Sequence, residues 1–397
     1  MSPTELRASL SLAAIFGLRL FGMFIILPVF VIYAEQLEGG RNMALVGIAM
    51  GAYGLTQAVL QIPFGWWSDR YGRKPVIVAG LAMFAFGSFV AAAAASVHMV
   101  IVGRILQGAG AISGAVIAMV ADLTREEHRT KAMALIGSTI GVAFALSLVV
   151  SPVLNRLIGV PGIFSLTGVL ALGAVLIVWR VVPDPAAGAP ARGTMAEFKS
   201  LLSDGQLLRL NYGIFALHAL LMAMFIALPL SLREAGLPVA QHWHVYLPVM
   251  LLSFVLMLPA VMKSGRGRYL KRYFVAAVAL VLLAQVLLYA LPAHLWPLAI
   301  VLLVFFTAFN VLEAMLPSLI SRMAPPQSKG AALGIYSSVQ FLGTFVGSAV
   351  GGYAYGHWGA HGVTMLCGAL AMAWLVIAAG MKIPDRPASA EAGVPAA

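Results

Sequence analysis

Gly65-Trp-Trp-Ser-Asp69-Arg70-Tyr-Gly72-Arg73-Lys74 is a short polar stretch lying between two apolar runs that are each about the length of a bilayer's hydrocarbon core. In a water-soluble protein, one carboxylate among three cations would mark an ordinary surface loop. Hydrocarbon offers such a turn no hydrogen bonds, so it must lie at a membrane face, held by partners there. That placement orients the helices on either side of it.

Apolar runs recur along the whole chain. Of its 397 residues, 61% are hydrophobic and only 10% are charged, whereas about a quarter are charged in soluble proteins. Twelve stretches of roughly 20 residues stand out, near 8–34, 43–67, 74–96, 98–121, 131–155, 161–182, 207–232, 241–262, 272–291, 294–321, 330–355 and 360–381. They are continuously apolar and lack the two-residue alternation of a membrane β-barrel. The composition therefore predicts an all-α membrane protein with 12 transmembrane helices.

The net charge of +11 is distributed by side. Assigning Lys and Arg to successive loops puts 20 of the 25 on the side that holds the N-terminus. Arg41, Arg156 and Arg233 fall on the other side, and Arg19 and Arg104 fall inside spans. By the positive-inside rule, both termini are cytoplasmic and the number of spans is even. The charge reports topology and gives no reason to invoke a nucleic-acid partner. The first apolar stretch follows Arg7 but is too long for a signal peptide and shows no small-residue cleavage site before Pro28, so it is expected to remain as an uncleaved helix. Cys367 is the single cysteine, which rules out a disulfide or a thiolate cluster within the chain.

The one linker-like stretch, Pro183 to Gly193, divides the sequence almost in half. The expected organisation is an N-terminal six-helix bundle (1–182), a cytoplasmic linker (183–206), a C-terminal six-helix bundle (207–382) and a disordered tail (383–397). The halves echo each other. Met23-Phe-Ile-Ile-Leu-Pro28 recurs as Met224-Phe-Ile-Ala-Leu-Pro229, and Arg129 to Ser138 aligns with Lys329 to Ser338. Pro63 with its basic turn is echoed by Pro259 followed by Lys263 to Arg268. Matched halves of this kind, with a site near the midplane between them, are one architecture of secondary transporters.

These residues resemble the major facilitator superfamily, and within it the twelve-helix drug:proton antiporter branch. The resemblance rests on the loop signature from Gly65 to Lys74, on Arg104-Ile-Leu-Gln107-Gly108-Ala-Gly110 with Asp122 at the end of the fourth span, and on Arg19 to Val29 in the first, which looks most like the YajR-type subgroup. Two departures stand beside it. Gly137 and Gly141 fit the branch's fifth-helix signature, but Ser151-Pro152 stands where Gly-Pro is expected. Proteins of the YajR type also carry a C-terminal soluble domain, which this sequence lacks.

Resemblance implies that Gly65, Asp69, Arg70, Gly72, Arg73, Lys74 and Asp122 form a cytoplasmic gate, in which the Asp69 carboxylate meets a helix N-terminus and arginines at the seam between the halves; an ordinary interfacial salt bridge is the plainer alternative. Glu313 is the one acidic residue of fourteen well inside a span. A carboxylate there is desolvated, which suits it to carry a proton, although a permanently paired structural role is open. Arg104 and Arg19 need acceptors in hydrocarbon. The family implies a part for Arg104, with Gln107 one turn away, in proton coupling or a central polar network. His218 is a candidate for titration in the physiological range or a neutral hydrogen-bonded residue.

Tyr53, Gln57 and Gln61 recur every fourth residue and so share one helix face, suited to lining a cavity or to packing. Asn211, Asn310, Tyr336 and Gln340 are candidates of the same kind. Phe24, Met222, Met224 and Phe225 offer adaptable apolar surface for varied ligands, or face lipid. The stripe Gly343, Gly347, Gly351 is expected to pack a helix closely. His242, His244, His357 and His361 have no carboxylates near them in sequence, so no metal site is expected.

The expected function is proton-coupled efflux of small hydrophobic or cationic compounds by alternating access. A carrier for a specific metabolite or sugar-like solute, as uniporter or symporter, is the alternative; a membrane enzyme or sensor is the distant one, with no P-loop and no His-Glu-x-x-His to support it. No cofactor is expected beyond the proton as coupling ion. The partners are a small-molecule substrate and membrane lipid, the oligomeric state implied is a monomer, and the location implied is a bacterial inner membrane.

Overall fold

In hydrocarbon, an isolated segment satisfies every backbone N–H and C=O within itself only as a helix. The computed structural model describes residues 1–184, 195–264, 269–325 and 328–382. Most of the linker (185–194), the second basic turn (265–268) and the tail (383–397) lie outside them. The helices are α1 (Pro3–Phe24), α2 (Phe30–Ala34), α3 (Met43–Tyr71), α4 (Arg73–Ala92), α5 (Val97–Ala109), α6 (Ser113–Leu123) and α7 (Glu126–Arg180). After the linker come α8 (Met195–Ser203), α9 (Gly205–Glu234), α10 (Trp243–Ser264), α11 (Leu270–Ala290), α12 (Leu295–Met323) and α13 (Lys329–Ala379).

Ten helical segments among the described residues are long and apolar enough to cross a membrane. Two of them turn back on themselves. Inside α7, Gly159 adopts φ 66° and ψ 174°; inside α13, Gly359 adopts φ 62° and ψ −157°. Left-handed backbone of this kind suits a residue without a Cβ. Each long helix is therefore two crossings, which makes twelve. The two turning glycines are 200 residues apart, and Gly39 (φ 83°) and Gly236 (φ 87°) end the first crossing of each half. α1 packs on α7, α4 on α5 and α7, and α3 on α5; after the linker, α9 and α11 pack on α13 and α10 and α11 on α12. The fold is all-α, with twelve crossings in two pseudo-symmetric bundles of six.

Two runs that read as single spans are broken. The first bends at 25–29, where Leu27 and Val29 make three-residue turn bonds to the carbonyls of Phe24 and Ile26. Pro28 has no N–H to offer and its ring crowds the carbonyl four residues back, so α1 ends there and α2 resumes. The fourth span breaks at Gly110, whose ψ of 57° is not helical; a Cβ there would meet the backbone of Gly80 on α4. The break lets α5 and α6 continue across the membrane while the backbones of α4 and the fourth span touch.

The bundles meet along a seam between α3 and α13. A Cβ added at Gly54 would lie 2.7 Å from the carbonyl oxygen of Phe341, and one at Gly51 would lie 2.9 Å from that of Phe345. Gly47 and Gly352 face each other in the same way. Just beyond this contact the Arg233 guanidinium donates to both carboxylate oxygens of Glu35 at 2.8 Å. This end of the molecule, away from the chain termini, is closed. At the terminal end no ion pair among the described residues crosses the seam, and Gly137 of α7 with Gly330 and Gly334 of α13 face open space. The Gly343, Gly347 and Gly351 stripe packs elsewhere, on the α9 backbone at Phe215, Ala219 and Ala223 within its own half.

Candidate functional site

The N-terminal half has a polar centre built around Tyr53. The guanidinium carbons of Arg19 on α1 and Arg104 on α5 lie 5.8 and 5.1 Å from its ring centroid, within range of cation–π attraction. Arg19 is 1% exposed, and Arg104, Tyr53 and Gln57 are fully buried. The Arg19 Nη1 donates to Ser113 Oγ at 2.5 Å. Arg104 donates through Nη1 to Gln107 Oε1 at 3.0 Å and through Nη2 to the Met50 carbonyl at 3.2 Å. Gln107 passes the chain on, donating to Ser88 Oγ at 2.8 Å, and Gln57 donates to the Gly108 carbonyl at 2.6 Å. Tyr53, Gln57 and Gln61 do share the buried face of α3.

The C-terminal half holds the second polar centre. Glu313 on α12 has a buried Oε2 with no hydrogen-bond partner, and so has the hydroxyl of Tyr336 on α13. The two groups lie within electrostatic range of each other. One turn along α13, the Gln340 amide shares a 2.8 Å hydrogen bond with the His218 ring on α9. Asn310, one turn before Glu313, donates to Ser253 Oγ on α10 at 3.0 Å, and Asn211 is buried near the start of α9.

Between the centres stand four aromatic rings. Phe144 on α7 lies 5.0 Å from Phe24, 5.8 Å from Phe306 and 5.7 Å from Phe309, so one side chain joins the two halves at mid-depth. Nothing in the sequence separated Phe144 from other apolar positions of its run. The other apolar candidates, Met222, Met224 and Phe225, are buried; Met224 and Phe225 meet partners in their own half, with Gln285 Nε2 3.2 Å from the Met224 sulfur and Phe225 6.4 Å from Tyr246.

At the terminal end, Arg73 collects the loop signature. It pairs with Asp69, with Asp122 at 2.9 Å and with Ser68 Oγ at 2.7 Å. Lys74 reaches Asp184 at 2.9 Å, and Arg70 lies 5.7 Å from the rings of both Trp66 and Tyr71. Gly72, at φ 93° and ψ 152°, makes the corner between α3 and α4. Glu5 receives Arg125 at 3.0 Å in the same region. Resemblance implies that Asp69 meets a helix N-terminus and nearby arginines at the seam between the halves. Asp69 stays within its own half, because the seam is open at this end and Arg73, one turn away, is the cation that meets it.

Twelve crossings in two matched bundles, with a polar centre in each and an end-to-end seam between them, define a polytopic membrane transporter. The chain belongs to the Major Facilitator Superfamily, whose model matches residues 12–270 and 267–396. It is 44% identical over 400 residues to the Inner membrane transport protein YajR of Escherichia coli (strain K12), covering 100% of this chain and 88% of that protein. It is 26% identical over 376 residues to the Multidrug resistance protein MdtH of Aeromonas hydrophila, covering 91% of this chain and 89% of that protein. Among solved structures, a bacterial homologue of the human lysosomal transporter Spinster, in an inward-facing and occupied conformation, superposes with a TM-score of 0.78 at 14% identity over 96% of each chain. That likeness is one of fold.

Proposed function

We propose that this chain is a proton-coupled efflux carrier for small, largely apolar compounds, working by alternating access in a bacterial inner membrane with both termini in the cytoplasm. The observation that carries the proposal is Glu313. Its Oε2 is buried with no partner, and an ionised carboxylate left so costs several kcal/mol unless water or a cation reaches it. Its charge state is therefore tied to which end of the seam is wet. Resemblance in sequence to a multidrug resistance protein along nearly the whole chain supports efflux, and the apolar rings around Phe144 supply surface for apolar solutes. Asp69, Asp122 and Arg73 form the gate at the cytoplasmic end, drawn within one half while that end is open.

Everted membrane vesicles test the coupling. With an imposed pH gradient, the wild type should move substrate and release protons in proportion. Glu313→Gln should abolish gradient-driven transport while leaving the protein folded, and substrate exchange across vesicles without a gradient should survive. Gradient-driven transport at the wild-type rate in Glu313→Gln would remove this carboxylate from the mechanism.

A further inference from the structure

Two guanidiniums lie in the core of the N-terminal half, and among the described residues no carboxylate forms an ion pair with either. Arg19 is 1% exposed and Arg104 is 0% exposed. The carboxylates that form ion pairs among the described residues, Glu5, Glu35, Asp69, Asp122 and Asp184, pair with other cations nearer the membrane faces. Glu313 lies in the opposite half, against Tyr336. The donor count is also incomplete: Arg19 Nε and Nη2 and Arg104 Nε are buried without a well-formed hydrogen bond, and the neutral Tyr53 hydroxyl beside Arg19 supplies no balancing charge. Neutral acceptors such as Ser113, Gln107 and the Met50 carbonyl satisfy single N–H groups but leave the charge. The Tyr53 ring offsets part of that charge through its quadrupole, and two cations drawn to one ring still repel each other.

We propose that Arg19 and Arg104, gathered at Tyr53, form a binding site for an oxyanion, the carboxylate or phosphate group of an organic solute with a largely apolar body. The guanidinium fork presents paired N–H donors that match the two oxygens of such a group, and buried arginines of this kind serve planar oxyanions better than a spherical ion. The apolar body follows from the walls, since Tyr53 lies 6.4 Å from Phe84 and 6.3 Å from Phe341 across the seam. A free solute is the proposed source; both arginines are closed to water and to lipid alike in this state, so it reaches them only when the halves part. The site extends the proposed export function by naming a substrate class, and it excludes cationic solutes from this half of the passage.

The test is equilibrium binding to the purified full chain in a neutral detergent, by calorimetry at constant ionic strength. The probes are benzoate and phenylphosphate, with benzamide as the neutral isostere, phenyltrimethylammonium as the cation, and sodium chloride. At least one oxyanion should bind saturably, with benzamide and phenyltrimethylammonium weaker by about tenfold or more, since each charge-assisted pair contributes about that much. Arg19→Gln and Arg104→Gln should each weaken the oxyanion by a similar factor, and Arg19→Lys by less. If Arg104→Gln does not fold, Arg19→Gln and the charge series on the wild type decide the matter. The proposal fails if neither oxyanion binds, if benzamide binds as well as benzoate, if chloride alone competes fully, or if Arg19→Gln leaves benzoate binding unchanged. Displacement of benzoate by phosphatidylglycerol would assign the oxyanion to a lipid headgroup and overturn the free-solute form. No proton gradient enters the measurement, so its outcome is independent of the Glu313 coupling test.

Discussion

Arg104 and Gln107 stand or fall together. Gln107 accepts from the guanidinium and donates onward to Ser88, so its loss strips a buried charge of an acceptor and a buried hydroxyl of a donor. Gln107→Leu should therefore destabilise the protein by roughly 2–3 kcal/mol. Gln107→Glu supplies the missing carboxylate and should be better tolerated, while filling the charge deficit that the oxyanion is proposed to meet. Reversible unfolding in detergent measures the order; a Leu variant as stable as the wild type would show that the network is dispensable. At this scale the sequence was readable wherever a charge sat in hydrocarbon, because such charges are expensive and hence conspicuous. That exposed Arg19, Arg104 and Glu313. It did not show that both arginines meet at Tyr53, since a tyrosine in a helix stripe carries no mark of what crosses over it. Phe144, a ring that touches the other half, was invisible for a similar reason: one more apolar residue in an apolar run.

Whole helices were read well from the apolar runs, and their interruptions were not. Pro28 and Gly110 break stretches whose hydropathy is continuous, and hydropathy sees composition rather than backbone. The turns at Gly159 and Gly359 were both readable as gaps between apolar runs, after 155 and after 355. The stripe at Gly343 was read as a close-packing surface, and it is one, against α9. The α3 stripe, Gly47, Gly51 and Gly54, was not singled out, although it forms the seam itself. Its consequence is testable. A side chain at Gly51 meets the α13 backbone, with the nearest Phe345 atoms at 2.9 Å from a Cβ, and backbone cannot rotate away. Gly51→Val should cost the closed arrangement about 1–3 kcal/mol, enough to shift a two-state population by roughly tenfold or more. With spin labels at Gln36→Cys and Ala240→Cys in a Cys367→Ser background, Gly51→Val should populate a longer distance at the end away from the termini. An unchanged distance distribution would mean that α3 and α13 do not part there.

The whole molecule is held closed at that end by packing first and charge second, and the magnitudes say which governs. Glu35 and Arg233 join the two halves, but their side chains are 46% and 41% exposed, so water screens the pair and it contributes at most about 1 kcal/mol. Removing it with Glu35→Gln should lower the ratio of closed to open molecules by about two- to fivefold, well short of the effect of Gly51→Val. The pH dependence has a definite sign. Hydrogen bonds from Arg233 hold the Glu35 carboxyl below the ordinary carboxylate range, whereas in the parted state it returns toward about 4.3. The pair therefore favours closure fully above that ordinary value and loses its contribution only as pH falls through the lowered one. Glu234 and Tyr355 lie in the same electrostatic neighbourhood, and neither reverses the sign while Arg233 stays charged. Acidification to pH 5.5, for example, should leave the latch intact, and the distance distribution from the Gln36 and Ala240 labels should match that at pH 7. If mild acid alone opened this end, a group other than the Glu35–Arg233 pair would have to govern closure, because even an unpaired carboxylate at about 4.3 stays largely ionised at pH 5.5.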